Sequence, residues 1–74
     1  MNEHTLLDRI TANPKVMVGK PTIRRLRITV EQFLKALAGG VTNQELLEDY
    51  PELEAEDIRA ALLYAAERVG EEQV

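Results

Sequence analysis

The chain has 74 residues, no cysteine and a formal net charge of -4 at pH 7. The lack of cysteine excludes disulfides and thiolate metal sites, so packing and self-association must stabilise so small a domain, and we expect a homodimer. Because the chain has neither 18 consecutive apolar residues nor a basic start followed by an apolar run, we expect one soluble cytoplasmic domain over residues 1–74 rather than an exported or membrane protein.

The first part of the chain is predicted to be extended. We expect residues 1–7 to be loosely ordered and an extended or β segment to cover residues 8–28. Turn signals at Asn13-Pro14 and at Gly19-Lys20-Pro21 separate its β-branched runs. These runs predict short strands near 9–11, 16–18 and 22–28.

After the β segment, the apolar period changes to that of helices, and we expect a three-helix bundle over residues 29–70. Apolar residues at i, i+3, i+4 and i+7 predict a first helix over about 30–38. A second short helix follows and ends near Tyr50-Pro51. Both helices have the sequence of a capping box at their N-termini. The capping pairs are Thr29 with Gln32, and Thr42 with Glu45.

The third predicted helix is the longest and covers about 55–69. Its cap position holds Glu54, a poorer cap than serine or threonine, although the acidic first turn suits the helix dipole. We expect one apolar stripe to face the core, formed by Ile58, Leu62, Ala65 and Val69. The fold class is therefore mainly α, with a short N-terminal β element followed by a three-helix, homeodomain-like (helix-turn-helix) bundle. A ribbon-helix-helix dimer is the architectural alternative.

Charge is distributed unevenly along the chain. Residues 1–30 carry six basic and two acidic residues, whereas residues 31–74 carry three basic and eleven acidic ones. The cations are concentrated in the segment that precedes the first helix, and in an extended strand they could meet successive phosphates of DNA. The predicted DNA-binding residues are Lys20, Arg24, Arg25 and Arg27. The alternative is that these side chains pair with the acidic helices of the same chain or of a dimer mate.

Residues suited to catalysis are scarce. The chain has no serine and no cysteine, and its single histidine, His4, lies in the segment predicted to be loosely ordered. The stretch "GKPT" is not a phosphate-binding loop, because Pro14 stands where that motif requires its first glycine. We therefore expect no catalytic residue, cofactor, metal or small-molecule substrate.

The order of the motifs resembles the small prokaryotic family known as domain of unknown function 433, and the resemblance covers residues 9–66. The matching motifs are Asn13-Pro14, Gly19-Lys20-Pro21-Thr22-Ile23-Arg24, Arg27-Ile28, Gly39-Gly40, Tyr50-Pro51-Glu52-Leu53, Asp57-Ile58 and Ala60-Ala61-Leu62. The resemblance implies a homeodomain-like fold with an N-terminal β element. It also implies a probable antitoxin that is paired with a PIN-like nuclease toxin and binds its own operator as a dimer.

This chain departs from the family pattern at two places. Arg25-Leu26 replaces a usual Gly-Thr, so we expect a more continuous strand instead of a tight turn. Glu54 replaces the usual serine or threonine cap of the third helix.

The leading hypothesis is a non-catalytic antitoxin or DNA-binding regulator whose acidic C-terminal end shields a basic nuclease-like toxin. The predicted toxin-binding residues are Tyr64, Glu67, Arg68, Glu71 and Glu72. The alternative function is a small dimeric protein–protein adaptor that does not bind DNA. Salt dependence would separate the two, since binding through arginines to phosphates weakens steeply as salt rises.

Overall fold

The computed structural model describes residues 3–12, 15, 19–24 and 26–71. A short β element precedes three helices, as predicted, and one further short helix lies at the start. The elements in chain order are α1 (Glu3–Leu7), β1 (Ile10–Thr11), β2 (Thr22–Ile23), α2 (Val30–Ala38), α3 (Asn43–Asp49) and α4 (Ala55–Gly70). The predicted bounds of the three longer helices are confirmed to within a residue. No helix in the described part of the chain is long and apolar enough to cross a membrane.

The two predicted capping boxes are both present. At the start of α2, Thr29 Oγ1 accepts the N–H of Gln32 at 3.0 Å, and the Gln32 side chain accepts the N–H of Thr29 at 2.9 Å. At the start of α3, Thr42 and Glu45 make the same reciprocal pair at 3.1 and 3.3 Å. These bonds satisfy N–H groups that have no partner within the helix, which explains why both helices begin where the sequence predicts.

The segment between β2 and α2 is a tight turn, so the prediction of an extended segment over residues 22–28 is wrong beyond Ile23. The Ile23 N–H donates to the Ile28 carbonyl at 3.0 Å, and Thr22 pairs with Thr29 in an antiparallel bridge. Arg24 adopts a left-handed backbone with φ of 48°. The turn is therefore formed without the glycine usual in the family, because Arg24 takes the left-handed conformation. The predicted strand at 16–18 lies outside the described residues.

The start of the chain is also more regular than predicted. Residues 3–7 form α1, and the Leu6 side chain is only 5% exposed. The helix lies against α4. Burial of Leu6 supplies the apolar contact that stabilises so short a helix. The strand β1 follows directly and pairs antiparallel with β2, Ile10 opposite Ile23.

The core lies between the β element and the three longer helices, and its largest fully buried apolar side chains are those of Phe33, Ile23 and Ile58. The predicted core stripe of α4 is wrong at two of its four residues, since Leu62 is 46% and Val69 66% exposed. The helix is instead rotated so that Asp57, Ala60 and Ala61 are buried and Tyr64 packs against the core. Asp57 is held inward by the ion-pair cluster described next.

Candidate functional site

Asp57, in the first turn of α4, is the centre of a buried ion-pair cluster. Its side chain is fully buried, and Arg24 donates to both carboxylate oxygens, from Nε at 3.1 Å and from Nη2 at 2.8 Å. Arg9 donates to Oδ1 at 3.0 Å, and the Glu54 backbone N–H donates to Oδ2 at 2.9 Å. Four donors thus satisfy a carboxylate that would otherwise be very unfavourable in the core.

The same arginines also contact the connection between α3 and α4. Arg24 Nη2 donates to the Glu52 carbonyl at 2.8 Å, and Arg9 Nη1 donates to the Glu54 side chain at 2.7 Å. The cluster therefore fastens the N-terminal β element to α4 through contacts between residues far apart in the sequence.

The balance of these contacts determines the pKa of Asp57. Burial alone would raise it, but the hydrogen bonds from Arg24, from the Glu54 backbone N–H and from Arg9 prevail, so the pKa lies below its ordinary value of 3.8. In return, the hydrogen bonds that Arg9 donates to Glu54 and Asp57 raise the pKa of Arg9, and those from Arg24 to Asp57 raise that of Arg24. All three groups are charged at neutral pH.

The basic segment predicted to bind DNA is therefore partly used within the chain. Arg24 is held by Asp57, and Lys20 Nζ donates to Glu31 Oε1 at 2.9 Å. Both residues therefore pair with acidic helices of the same chain, which is the alternative expectation for this segment. Arg25 lies outside the described residues.

Arg27 differs from its neighbours. It is exposed at the turn, and within the described ranges it makes no hydrogen bond or ion pair. Of the predicted DNA-binding residues that the structure describes, Arg27 is the one that makes no ion pair, although Asp49 and Glu52 line the same groove.

The predicted toxin-binding residues lie together on the C-terminal half of α4. Four of them, Tyr64, Glu67, Arg68 and Glu71, line one groove of about 240 Å³. The opposite wall is formed by Leu7 and Ile10, from α1 and β1. Glu72 lies outside the described residues.

Arg68 organises this groove. Its Nε donates to the Tyr64 hydroxyl at 3.1 Å, and its guanidinium carbon lies 5.1 Å from the centre of the Tyr64 ring. It also pairs with Glu71 at 3.3 Å. These contacts hold the aromatic ring in place, so an aromatic side chain with a polar tip is presented beside the carboxylates of Glu67 and Glu71.

A second groove, of about 370 Å³, lies on the other side of Tyr64, between α2 and α4. Its apolar lining includes Val30, Leu34 and Ala65. Lys20 and Lys35 stand at its edge, where both donate to Glu31, at 2.9 and 3.2 Å. The hydrogen bond from Lys20, followed by that from Lys35, lowers the pKa of Glu31.

The described residues contain no group of three or more His, Cys, Asp or Glu side chains arranged to hold a metal ion. The role of Asp57 is not predicted by the sequence, which indicates a carboxylate that suits the helix dipole and faces solvent. The signal was present, because Ile23-Arg24 and Asp57-Ile58 are both among the motifs of the resemblance.

Comparison with known proteins identifies relatives of the chain. Residues 10–65 match the family described as "Protein of unknown function (DUF433)". Uncharacterized protein y4eO of Sinorhizobium fredii is 36% identical over 56 residues, which are 76% of this chain and 25% of that protein. The crystal structure of a DUF433 member protein from Anabaena variabilis is 34% identical, with a TM-score of 0.81 over 90% of this chain and 66% of that one. The chain thus spans a quarter of the first relative and just under two thirds of the second.

Proposed function

The chain belongs to the DUF433 family, as its motifs indicated, and we propose that it is a non-catalytic, antitoxin-like protein. In this proposal the C-terminal half of α4 binds and neutralises a basic, nuclease-like partner. The observation that carries the proposal is the groove lined by Tyr64, Glu67, Arg68 and Glu71. These four residues line one groove, whereas Arg24 and Asp57 are paired with each other.

The chemistry of this groove suits a protein partner with a cationic surface. Nuclease active sites attract polyanions, so an acidic surface that mimics the substrate's charge competes for them. Tyr64, fixed by Arg68, supplies a rigid aromatic anchor of the kind enriched at binding hot spots. The proposal that the chain itself is not an enzyme rests on its lack of serine and cysteine and on its single histidine.

Binding and inhibition should both depend on Glu67 and Glu71. Tagged protein would be used to capture partners from the native host, and each captured protein would be identified by mass spectrometry and assayed for cleavage of a fluorescent oligonucleotide. The variant Glu67→Lys with Glu71→Lys should lose the partner and the inhibition, because both carboxylates of the groove become cations.

A matched control variant makes the same change of charge at two carboxylates outside the groove. Glu48→Lys with Asp49→Lys alters two exposed carboxylates of α3, far from the groove in sequence, and should retain capture and inhibition. Equal loss in both variants would contradict the assignment of the groove. Capture of a protein without nuclease activity would replace the antitoxin function with the adaptor alternative.

DNA binding is a second proposal, and it is favoured by Arg27, whose exposed side chain makes no ion pair within the part of the chain that the structure describes. An Arg27→Ala variant should weaken binding to the promoter DNA of the gene and reduce its salt dependence, because each lost phosphate contact lowers the salt slope by about one. Lys35→Ala removes an exposed cation outside this segment and serves as the control. Promoter binding that is unchanged in Arg27→Ala would contradict this second proposal.

A further inference from the structure

One face of α4 is apolar and exposed. Leu62 and Val69 are 46% and 66% exposed, and Ala66 between them is also exposed. Because a helix turns by about 100° per residue, these three side chains point about 140°, 120° and 180° away from the buried Asp57. We call them the outer stripe. Other residues of α4 are buried, among them Ile58, Ala60 and Ala61, and the helix contacts α1, α2, α3 and β1.

We infer that a second copy of this chain covers the outer stripe, with the two α4 helices antiparallel. This inference goes beyond the proposed function, since Glu67 and Glu71 lie on a different face of α4 from the outer stripe. The sizes of the side chains on the outer stripe and the charge of the neighbouring Arg59 favour a second copy of the chain as the partner and an antiparallel direction of pairing.

An antiparallel pair centred near residue 64 brings large side chains against small ones. Leu62 of one chain then lies over Ala66 of the other, and the reverse contact repeats by symmetry. In the same register Arg59 lies beside the other copy's Val69, at the C-terminal end of its α4. This end carries the negative pole of the helix dipole, which attracts a cation.

Charge also argues against the parallel alternative. Arg59 is exposed, and within the described ranges it makes no ion pair. A parallel pair would place the two Arg59 side chains side by side, whereas the antiparallel pair moves each one to the acidic end of the other helix, near Glu71.

The apolar surface continues beyond the stripe. Ala65, next to the stripe on the helix surface, lines the groove between α2 and α4 together with Val30 and Leu34. A stable interface buries about 1,200 Å² or more in total, which is more than one helix stripe offers. Val30, Leu34 and Ala65 extend the apolar surface on the α2 side, in a groove that Tyr64 and Arg68 also line.

The oligomeric state of the full chain tests the surface. Sedimentation equilibrium should give the dimer mass for the wild type and the monomer mass for Ala66→Glu, which places a charge at the centre of the interface. Ala38→Glu is the matched control, because it makes the same change at an exposed alanine of α2; it should remain a dimer. Circular dichroism would verify that the helices of both variants are intact.

A wild type that is monomeric at every concentration would overturn the inference and would leave the outer stripe to a different protein. A dimer that survives Ala66→Glu would overturn it equally. Neither result depends on a nuclease-like partner, so failure here is distinguishable from failure of the proposed function.

The direction of pairing can be tested by crosslinking, since the natural chain has no cysteine. In the antiparallel pair, Arg59 and the other copy's Val69 lie in one layer, so a mixture of Arg59→Cys and Val69→Cys proteins should form the mixed disulfide under mild oxidation. The two copies of residue 69 would be offset by about 15 Å along the axis, beyond the roughly 7 Å between Cα atoms that a disulfide allows. A disulfide between two Val69→Cys chains would indicate parallel pairing and overturn the register.

Discussion

Replacing Arg24 with alanine should destabilise the fold strongly, although arginine is usually a surface residue. The change removes both hydrogen bonds from the guanidinium to Asp57 and the one to the Glu52 carbonyl. Asp57 stays buried, with only Arg9 and the Glu54 N–H as donors. The Asp57 carboxylate would then have lost its bidentate hydrogen-bond partner and would still be shielded from water.

The expected loss is about 3 kcal/mol of the free energy of unfolding. Breaking a buried ion pair by removing one partner costs about 3–5 kcal/mol. The lower end applies because Arg9 remains, and because the side chain of Arg24 is 37% exposed, so that water already screens part of the interaction. Since a chain of this size has a total stability of roughly 4–11 kcal/mol, the loss is a large fraction of the whole.

Urea denaturation followed by circular dichroism at pH 7 would measure this loss. With a slope of about 1 kcal/mol per molar urea for so small a chain, the midpoint should fall by about 3 M. Arg24→Gly is the companion variant: it loses the same hydrogen bonds, but glycine accepts the left-handed φ of 48°, so it should be about 1 kcal/mol more stable than Arg24→Ala. A shift of less than 0.5 M for Arg24→Ala would refute the structural role of the pair.

Three further outcomes follow from the contacts described. The difference in stability between the wild type and Asp57→Asn should be constant from about pH 5 to 8 and should shrink below about pH 4. The pKa of Asp57 is lowered by folding, so its charge stabilises the fold above the unfolded pKa of 3.8, and this stabilisation is lost as pH falls through the folded pKa. Thermal melts across pH would measure the difference, and a constant difference down to pH 2 would contradict the prediction. Leu46→Ala should lower the free energy of unfolding by about 2–5 kcal/mol because Leu46 is buried, whereas Leu62→Ala at low protein concentration should lower it by under about 1 kcal/mol. Similar losses for the two variants in urea titrations would contradict the exposed position of Leu62 on α4. Thr42→Ala should cost about 1 kcal/mol by the same assay through loss of the cap of α3, and no loss would show that the Thr42 cap contributes nothing.

The features predicted well from the sequence are those determined by neighbouring residues. The starts of α2 and α3 depend on hydrogen bonds between residues three apart, and such pairs can be read directly from the sequence. The proximity of Tyr64, Arg68 and Glu71 along one groove was predicted for the same reason, since these residues are three or four apart on one helix face.

The features predicted poorly depend on residues far apart in the sequence. Arg24 takes a left-handed backbone, and its guanidinium donates hydrogen bonds to Asp57, 33 residues later. No local signal indicates that an arginine in a β-branched run will leave the strand. Likewise, α1 forms because Leu6 is buried against α4, a contact that its five-residue sequence cannot reveal.

The rotation of α4 links these local and distant effects. Apolar spacing alone places Leu62 and Val69 with Ile58 on the core side, and it ignores the carboxylate of Asp57. Two arginines of the N-terminal segment hold Asp57 inward, and the helix periodicity then directs Leu62 and Ala66 toward solvent. Val69 lies only about 20° around the helix from the buried Ile58, and it is exposed because it stands in the last turn of α4. The cations that an acidic chain concentrates before its first long helix therefore help to determine which face of its last helix is free to bind. A variant such as Asp57→Leu, which has no charge to satisfy, should relax that constraint and weaken the dimer expected on the opposite face.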